Sequence, residues 1–533
     1  VSIASQYFGA RRTALADFRA EAWRDRVQGR ASANTIPLSV AVTATLLAVA
    51  GSVWSSLTGS MTLYGDARAH LDVARHVSDA QTPGLAQLGS VWLPLPHLAM
   101  VPFVAVEPLW HSGIAGAIVS GAAFIYSAIR IYGLTWYWTE SKVAGWCAFL
   151  LYATSLNLLY VQTTALTEPL LLAMMVGAMY HFARWLREMK HRDLALAAFF
   201  TMLATISRYD GWVLLAVGLV VVVLWTRFNE RRAFATQANV VIFCMLAGYG
   251  ILLWFVYNLV IFGDPLYFIH SSASSQAQQL ALAQTGMLGT KGNIVESVLT
   301  YFWAVFDVSG IALLVVGAAG GLLLLLQRRR ERWASIALLV VLASPVAFNV
   351  VALWSGQSTV RVPERALHEM WNLRYGLMAL PLLAFAGGTL AARWKPLAGL
   401  VLAAAVAGVV TTGVLAMPIT VTDGRMGVSS ATAGQPEKAA EYVAANYQGG
   451  RILVDDTLNQ PLMFRSGLNL REFVTVGNKP YYQDAMTSPG DNVSWLVVRP
   501  GDDIDRTMKA YPARFQGFTL VTQDRDISVY RRF

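Results

Sequence analysis

Only two cysteines, Cys147 and Cys244, occur in 533 residues. Neither a disulfide framework nor a thiolate metal site is therefore indicated, and both are expected as core residues near the inner ends of apolar stretches. Charge is scarce too: Asp, Glu, Lys and Arg make up 14% of the chain against 55% hydrophobic residues, which excludes an ordinary soluble domain. No internal repeat and no aromatic-basic motif for RNA is found. What fills the chain is long apolar runs. About 20 apolar residues cross the roughly 30 Å of bilayer hydrocarbon. About eleven runs qualify as expected spans: 36–57, 113–138, 142–160, 168–186, 193–208, 210–226, 237–262, 301–326, 333–354, 371–391 and 395–417. The expected fold is an α-helical polytopic membrane protein.

Basic residues gather in particular connections: Arg184 to Arg192 with Lys190, Arg227 to Arg232, Arg328 to Arg332, and Arg393 with Lys395. Placing these in the cytoplasm by the positive-inside rule also places the basic segment 1–35 inside, and an odd number of spans leaves the C-terminal region outside. The net charge of +9 then follows from topology, and no nucleic-acid partner is implied. The first apolar run starts too far along and is too long for a simple cleaved signal peptide, so it is kept as a span. The expected division is a cytoplasmic segment 1–35, a membrane domain 36–421 with long outer loops 58–112, 263–300 and 355–370, and an extracytoplasmic domain 422–533. Beyond Thr422 hydropathy falls, and the pattern predicts a helix at 435–447, strands at 451–455, 472–476 and 495–499, a helix at 504–511 and a closing strand pair. That small α/β domain has no glycine-rich phosphate loop and no metal-spaced His or Cys set.

Ionisable residues collect at the outer ends of the spans. The first outer loop opens on Tyr64-Gly65-Asp66-Ala67-Arg68-Ala69-His70-Leu71-Asp72. On a helix Asp66 and His70 share a face, as do Asp72 and His76, and either pair suits a metal or a proton shuttle. The plainer alternative is an acid placed for the helix dipole, with Arg68 and Asp72 as a surface pair. Further along the same loop comes Trp92-Leu93-Pro94-Leu95-Pro96-His97, read with its surroundings as short helices along the outer membrane surface. Thr167-Glu168-Pro169 opens the fourth span, where Thr caps and Pro fits the first turn. Arg208-Tyr209 lies in the turn after span five and Arg374-Tyr375 at the start of span ten, both against the positive-inside bias. A guanidinium fork that clamps phosphate is one reason for them, and local pairs of Arg208 with Asp210 or Arg374 with Glu369 are the other. Asp307 sits inside span eight, where a charge needs a cavity or a partner. Tyr267 and His270 in the second long loop, and Arg361, Arg365 and His368 in the third, complete the substrate-binding candidates with His70 and His97.

In their order and topology, Tyr-Gly-Asp at 64–66, Thr-Glu-Pro at 167–169, Arg-Tyr at 208–209 and Asn-Leu-Arg-Tyr at 372–375 resemble the GT-C superfamily of integral-membrane glycosyltransferases. The branch containing protein O-mannosyltransferases and aminoarabinose transferases is the most similar, and the resemblance covers residues 36–417. It implies a polyprenyl-phosphate-linked sugar donor and an extracytoplasmic acceptor hydroxyl on a cell-wall glycan, lipid or protein, with inversion at the anomeric carbon. It implies Asp66 as base, Glu168 as the second acidic position, and Arg208 and Arg374, with Tyr209 and Tyr375, at the donor phosphate. No cofactor is required. A divalent cation is left open, with Asp66, His70 and Glu168 to hold it, because Gly65 and Ala67 stand where some members pair acidic residues. Two rival readings remain. A secondary transporter or lipid flippase would carry repeats and broken helices with polar groups at mid-membrane. A membrane-anchored binding module would not need so many spans.

Overall fold

The computed structural model describes residues 36–533 except 230–232, 272, 273, 275–278, 280–282, 284–287, 328, 366–368, 415, 430–436 and 479. The segment 1–35 and His368 thus lie outside the described residues. The chain opens with α1 (Leu38–Leu57), an apolar span with few buried positions, whose remaining surface faces lipid. The long loop 58–112 follows, with α2 (Gly65–His76) and the short apolar α3 (Leu95–Val104), which begins after Pro94. Then come α4 (Ile114–Thr139), α5 (Lys142–Ala153), α6 (Glu168–Glu188), α7 (His191–Thr205) and α8 (Asp210–Asn229). Helices α9 (Ala233–Ala247) and α10 (Tyr249–Phe262) meet at a 40° bend. The membrane part closes with α11 (Ile294–Leu325), α12 (Arg329–Ser355), a 3-10 segment Leu373–Ala379 leading into α13 (Leu380–Leu390), and α14 (Lys395–Val409).

Among the described residues, seven helices are long and apolar enough to cross a membrane by themselves, and the α9–α10 pair makes up to eight. The other three expected spans take different forms. The run 142–160 breaks after Ala153, α6 has the length but mixes polar residues into its sequence, and α7 has 15 residues. The expected count of about eleven is therefore not reproduced by length and composition alone. Centre and rim separate cleanly: 83% of the segment Leu373–Leu390 is buried against 22% of α1. The 3-10 segment lies hard against α11, since a methyl at Gly376 would collide with the Ala304 carbonyl. Gly310, at φ 72°, kinks α11 at mid-length.

After the last span, α15 (Ile419–Ser429) packs back onto the membrane part, so the boundary expected at 421/422 falls inside this helix. Next come α16 (Glu437–Asn446), β1 (Ile452–Val454), α17 (Asp456–Ser466), β2 (Phe473–Val474), β3 (Trp495–Val498), α18 (Asp503–Ala510), β4 (Phe518–Asp524) and β5 (Ile527–Arg532). The sheet order is β2-β1-β3-β5-β4, with β2, β1 and β3 parallel and β5 antiparallel to both its neighbours. These elements fall where the sequence pattern places them; α17 and a short helix Tyr481–Thr487 are additions to it. The domain docks on the loop 58–112 through Asp79. Its carboxylate accepts from Arg75 Nε (3.0 Å), the Leu470 amide (3.1 Å) and Arg471 Nε (2.9 Å).

Candidate active site

Four chain segments bring their charges to one point. Asp66 stands in the first turn of α2, where a carboxylate suits the positive helix end. Glu168 is the first residue of α6, with Pro169 pre-set for the first turn. Arg208 occupies the turn between α7 and α8, and Arg374 the start of the 3-10 segment. The turn before Arg374 depends on Asn372, held in the left-handed region at φ 58° and anchored by its Nδ2 to the Thr359 carbonyl (3.0 Å). Asn is among the few residues that adopt this backbone at modest cost.

Arg374 reaches Glu168 Oε1 through Nε (2.9 Å) and Asp66 Oδ2 through Nη2. Arg208 reaches the same Glu168 oxygen through Nη1 (3.1 Å) and Asp210 through Nε (3.2 Å). Glu168, 1% exposed, therefore holds two guanidinium groups, whereas Asp66 is 46% exposed. The Tyr375 ring lies beneath both cations, 4.9 Å from Arg208 and 5.3 Å from Arg374, and Tyr64 covers Arg374 from another side at 4.7 Å. The expected Arg208–Asp210 pair is present, while Glu369 pairs with Arg361 rather than with Arg374. Thr167 does not cap α6; its hydroxyl accepts from Arg208 Nη1 instead (3.0 Å).

This cluster forms the floor of a cavity of about 490 Å³, whose walls include His70, Trp92, Tyr209, Trp212, Phe268 and Asn349. Among the described residues, no protein acceptor meets Arg208 Nη2 or Arg374 Nη1. His70 shares the Asp66 face of α2, stacks near Trp92 (4.4 Å) and meets His97 Nε2 through Nδ1 (2.9 Å). Burial pushes the His70 imidazole down to about 3, so it is neutral at physiological pH. Tyr209 donates to the Val91 carbonyl (3.1 Å) and packs on Phe268.

Other expected residues lie elsewhere. Arg361 is paired with Glu369 and Arg365 with Glu296, and neither lines the cavity. His270 binds Asp264 (2.6 Å) and Tyr267 stacks on Phe262 (4.5 Å); their neighbours Phe268 and Ile269 face the cavity in their place. Asp307 lies beside Glu364 of the loop 355–370. Arg68 and Asp72 are buried rather than a surface pair, and Asp72 accepts from the Trp110 indole (3.1 Å). Among the described residues, Asp66, His70 and Glu168 do not form a metal-holding group, nor does any other set of three His, Cys, Asp or Glu. Two contributors were not anticipated: Asn349, which donates to Asp210 (3.1 Å), and Asp423, which accepts from Tyr64 Oη (2.9 Å). Asp423 follows the last apolar run and breaks hydropathy as abruptly as Asp66 does, a signal that could have found it. Asn349, inside an apolar helix, gave only its polarity.

No protein-family model matches the chain, and no curated protein matches it. Solved structures do. The crystal structure of ArnT from Cupriavidus metallidurans bound to undecaprenyl phosphate superposes with a TM-score of 0.55 at 14% identity, covering 91% of this chain and 97% of that one. The Archaeoglobus fulgidus oligosaccharyltransferase, tethered to an acceptor peptide containing the NVT sequon, gives 0.51 at 13% identity, covering 87% and 69%. Both have the GT-C fold. At such low identity with such full coverage the shared property is the fold: this chain is a multi-pass, GT-C-like helical membrane protein carrying a five-stranded C-terminal sheet.

Proposed function

We propose that this protein is a membrane glycosyltransferase that moves a sugar from a polyprenyl-phosphate-linked donor to the hydroxyl of an extracytoplasmic glycan, lipid or protein, inverting the anomeric carbon. The observation that carries the reading is the pair of guanidinium groups fixed by Glu168, both lining a cavity beside the half-exposed carboxylate of Asp66. A cationic floor next to a carboxylate is what single displacement at a phosphate-linked carbon needs. Asp66 takes the proton of the acceptor hydroxyl as its oxygen bonds to the anomeric carbon. The bond from that carbon to the phosphate oxygen breaks, and the phosphate departs with its charge met by Arg208 and Arg374. Tyr375 holds both cations level, and the neutral His70 and Trp92 present a polar edge and an aromatic face to the sugar.

The likeness to ArnT, solved with undecaprenyl phosphate bound, supports the donor class. The polar groups lie at the ends of helices rather than at mid-membrane, which favours transfer at a surface over transport. In the proposed topology the cavity and the C-terminal domain are extracytoplasmic and the N-terminus cytoplasmic. Incubating purified protein in nanodiscs with a panel of polyprenyl-phosphate sugars tests the function. Turnover or donor-dependent thermal stabilisation is expected, and neither with any donor of the panel would reject it.

A further inference from the structure

Asp423 stands on α15, the helix that follows the last span, and is 3% exposed. It faces the proposed site from behind. Its Oδ2 accepts from Tyr64 Oη (2.9 Å) and from the Leu373 amide (3.1 Å). These two partners immediately precede the site's own charges: Tyr64 comes two residues before Asp66 and its ring covers Arg374, while Leu373 comes one residue before Arg374. Tyr64 Oη also reaches the Thr420 carbonyl (2.8 Å), and Asn157 grips the same turn of α15 through the Thr420 amide (3.0 Å) and hydroxyl (2.9 Å). Gly424 lets α15 approach this closely, because a methyl there would stand 3.1 Å from Leu63 Cβ. One carboxylate oxygen thus ties the loop that carries Asp66 to the turn that carries Arg374, across some 300 residues of chain.

We infer that Asp423 is a positioning residue of the proposed transferase, fixing Tyr64 and the Leu373–Arg374 backbone so that the Arg374 guanidinium meets the donor phosphate in one orientation. The inference rests on the function proposed above. It assigns a site role to a residue outside the apolar spans and makes α15 a support behind the active site. Tyr160, stacked on Tyr64 at 6.3 Å, completes the packing and keeps the Asp423 carboxylate out of water. Burial raises that carboxyl to about 6. Such a cost is tolerated where the group makes oriented hydrogen bonds to neighbours that matter.

The test uses the full chain in nanodiscs, with undecaprenyl phosphate as probe, and reads affinity and thermal midpoint for Asp423→Ala, Asp423→Asn and Tyr64→Phe. Asp423→Ala is expected to weaken probe binding by about tenfold in the folded fraction, the scale of one misaligned charge-assisted contact. Asp423→Asn, which keeps an acceptor for both donors, should recover most of it. Tyr64→Phe should cost several-fold alone and add little on top of Asp423→Ala, because the two act through one contact. A merely structural Asp423 would lower the thermal midpoint and leave affinity unchanged. A folded Asp423→Ala protein with wild-type affinity overturns the inference; if that variant does not fold, Tyr64→Phe with wild-type affinity does so. Failure of the wild-type protein to bind the probe is a different result: it removes the proposed function and the inference with it.

Discussion

Asp66 and Glu168 are both carboxylates on the same arginine, yet their surroundings divide their work. Glu168 is enclosed and shared by two cations, whereas Asp66 keeps nearly half its surface open; in the proposed transferase the first anchors the cations and the second meets the incoming hydroxyl. Asp66→Asn is expected to leave the thermal midpoint close to wild type and to reduce transfer by about 100-fold or more, the range for loss of a positioned base. A folded Asp66→Asn protein transferring at near-normal rate would move the base elsewhere. Arg374→Ala and Arg208→Ala should each weaken donor affinity by about tenfold or more, since a charge-assisted hydrogen bond contributes roughly 1.5–3 kcal/mol. Lys should restore only part, because an ammonium cannot reproduce the fork that touches Glu168 and the cavity together. Donor titration of the four variants checks this. At this scale the sequence was legible where a charge interrupts an apolar run: Asp66, Glu168, Arg208 and Arg374 all announce themselves so and all converge. Arg361, Arg365 and His270 looked alike in sequence, but they sit in loops where a neighbouring acid or base satisfies them locally, and only coordinates show that pairing.

The element that most needs explanation is α2, a helix whose Arg68, His70, Asp72, Arg75 and His76 are all buried. It is polar because it is enclosed on both sides, by the membrane helices and by the C-terminal domain, with Asp79 just beyond its end clasping Leu470 and Arg471. Burial holds His70 down at about 3 and His76 at about 4, against 6.5 when unfolded. Between those values the folded state binds fewer protons than the unfolded, so stability falls as pH drops from about 6.5 towards 4. Burial alone would raise Asp79, but hydrogen bonds from Arg75, Arg471 and the Leu470 amide lower it below the usual carboxylate range. Its contribution is present above the unfolded value near about 3.9 and is lost only as pH falls through the lower folded one. Acidification from pH 7 to 5 should therefore loosen α2 through its histidines while the Asp79 clasp still holds. Hydrogen-exchange protection over residues 65–79, corrected for intrinsic rates, should fall at pH 5, and His76→Gln should flatten part of that dependence. Unchanged protection across this window would contradict the assignment. Asp79→Ala, in contrast, should release the C-terminal domain at neutral pH, at a cost of about 1–3 kcal/mol. Sequence shows such elements where they are continuously apolar, as in β1 and β3 of the C-terminal sheet. It says little about α2, whose burial is imposed by two partners distant in the chain.

For the whole molecule the decisive geometry is the length of α6. Its 21 residues run from Glu168 in the charged cluster to Glu188 beside the basic connection around Lys190. At 1.5 Å per residue that is roughly 30 Å, the thickness of bilayer hydrocarbon. If α6 crosses the membrane, the cavity and the basic connection belong to its opposite faces, even though α6 is too mixed in composition to be recognised as a span by hydropathy alone. This also shows why counting spans from sequence is fragile: in a GT-C-like core, helices at the centre need not be uniformly apolar, because protein rather than lipid surrounds them. If Arg184, Lys190 and Arg192 obey the positive-inside rule, the cavity opens outward, and the C-terminal domain, fastened to α2 beside that cavity, must be outside as well. Cysteine labelling decides it in a background with Cys147 and Cys244 replaced. Lys509, 72% exposed on α18, and Lys190, 54% exposed at the basic connection, are suitable probe positions. Lys509→Cys should react with a membrane-impermeant maleimide on intact cells, and Lys190→Cys only after permeabilisation. The opposite pattern would invert the protein in its membrane. It would place the arginine pair on the cytoplasmic side and require donor and acceptor alike to be met there.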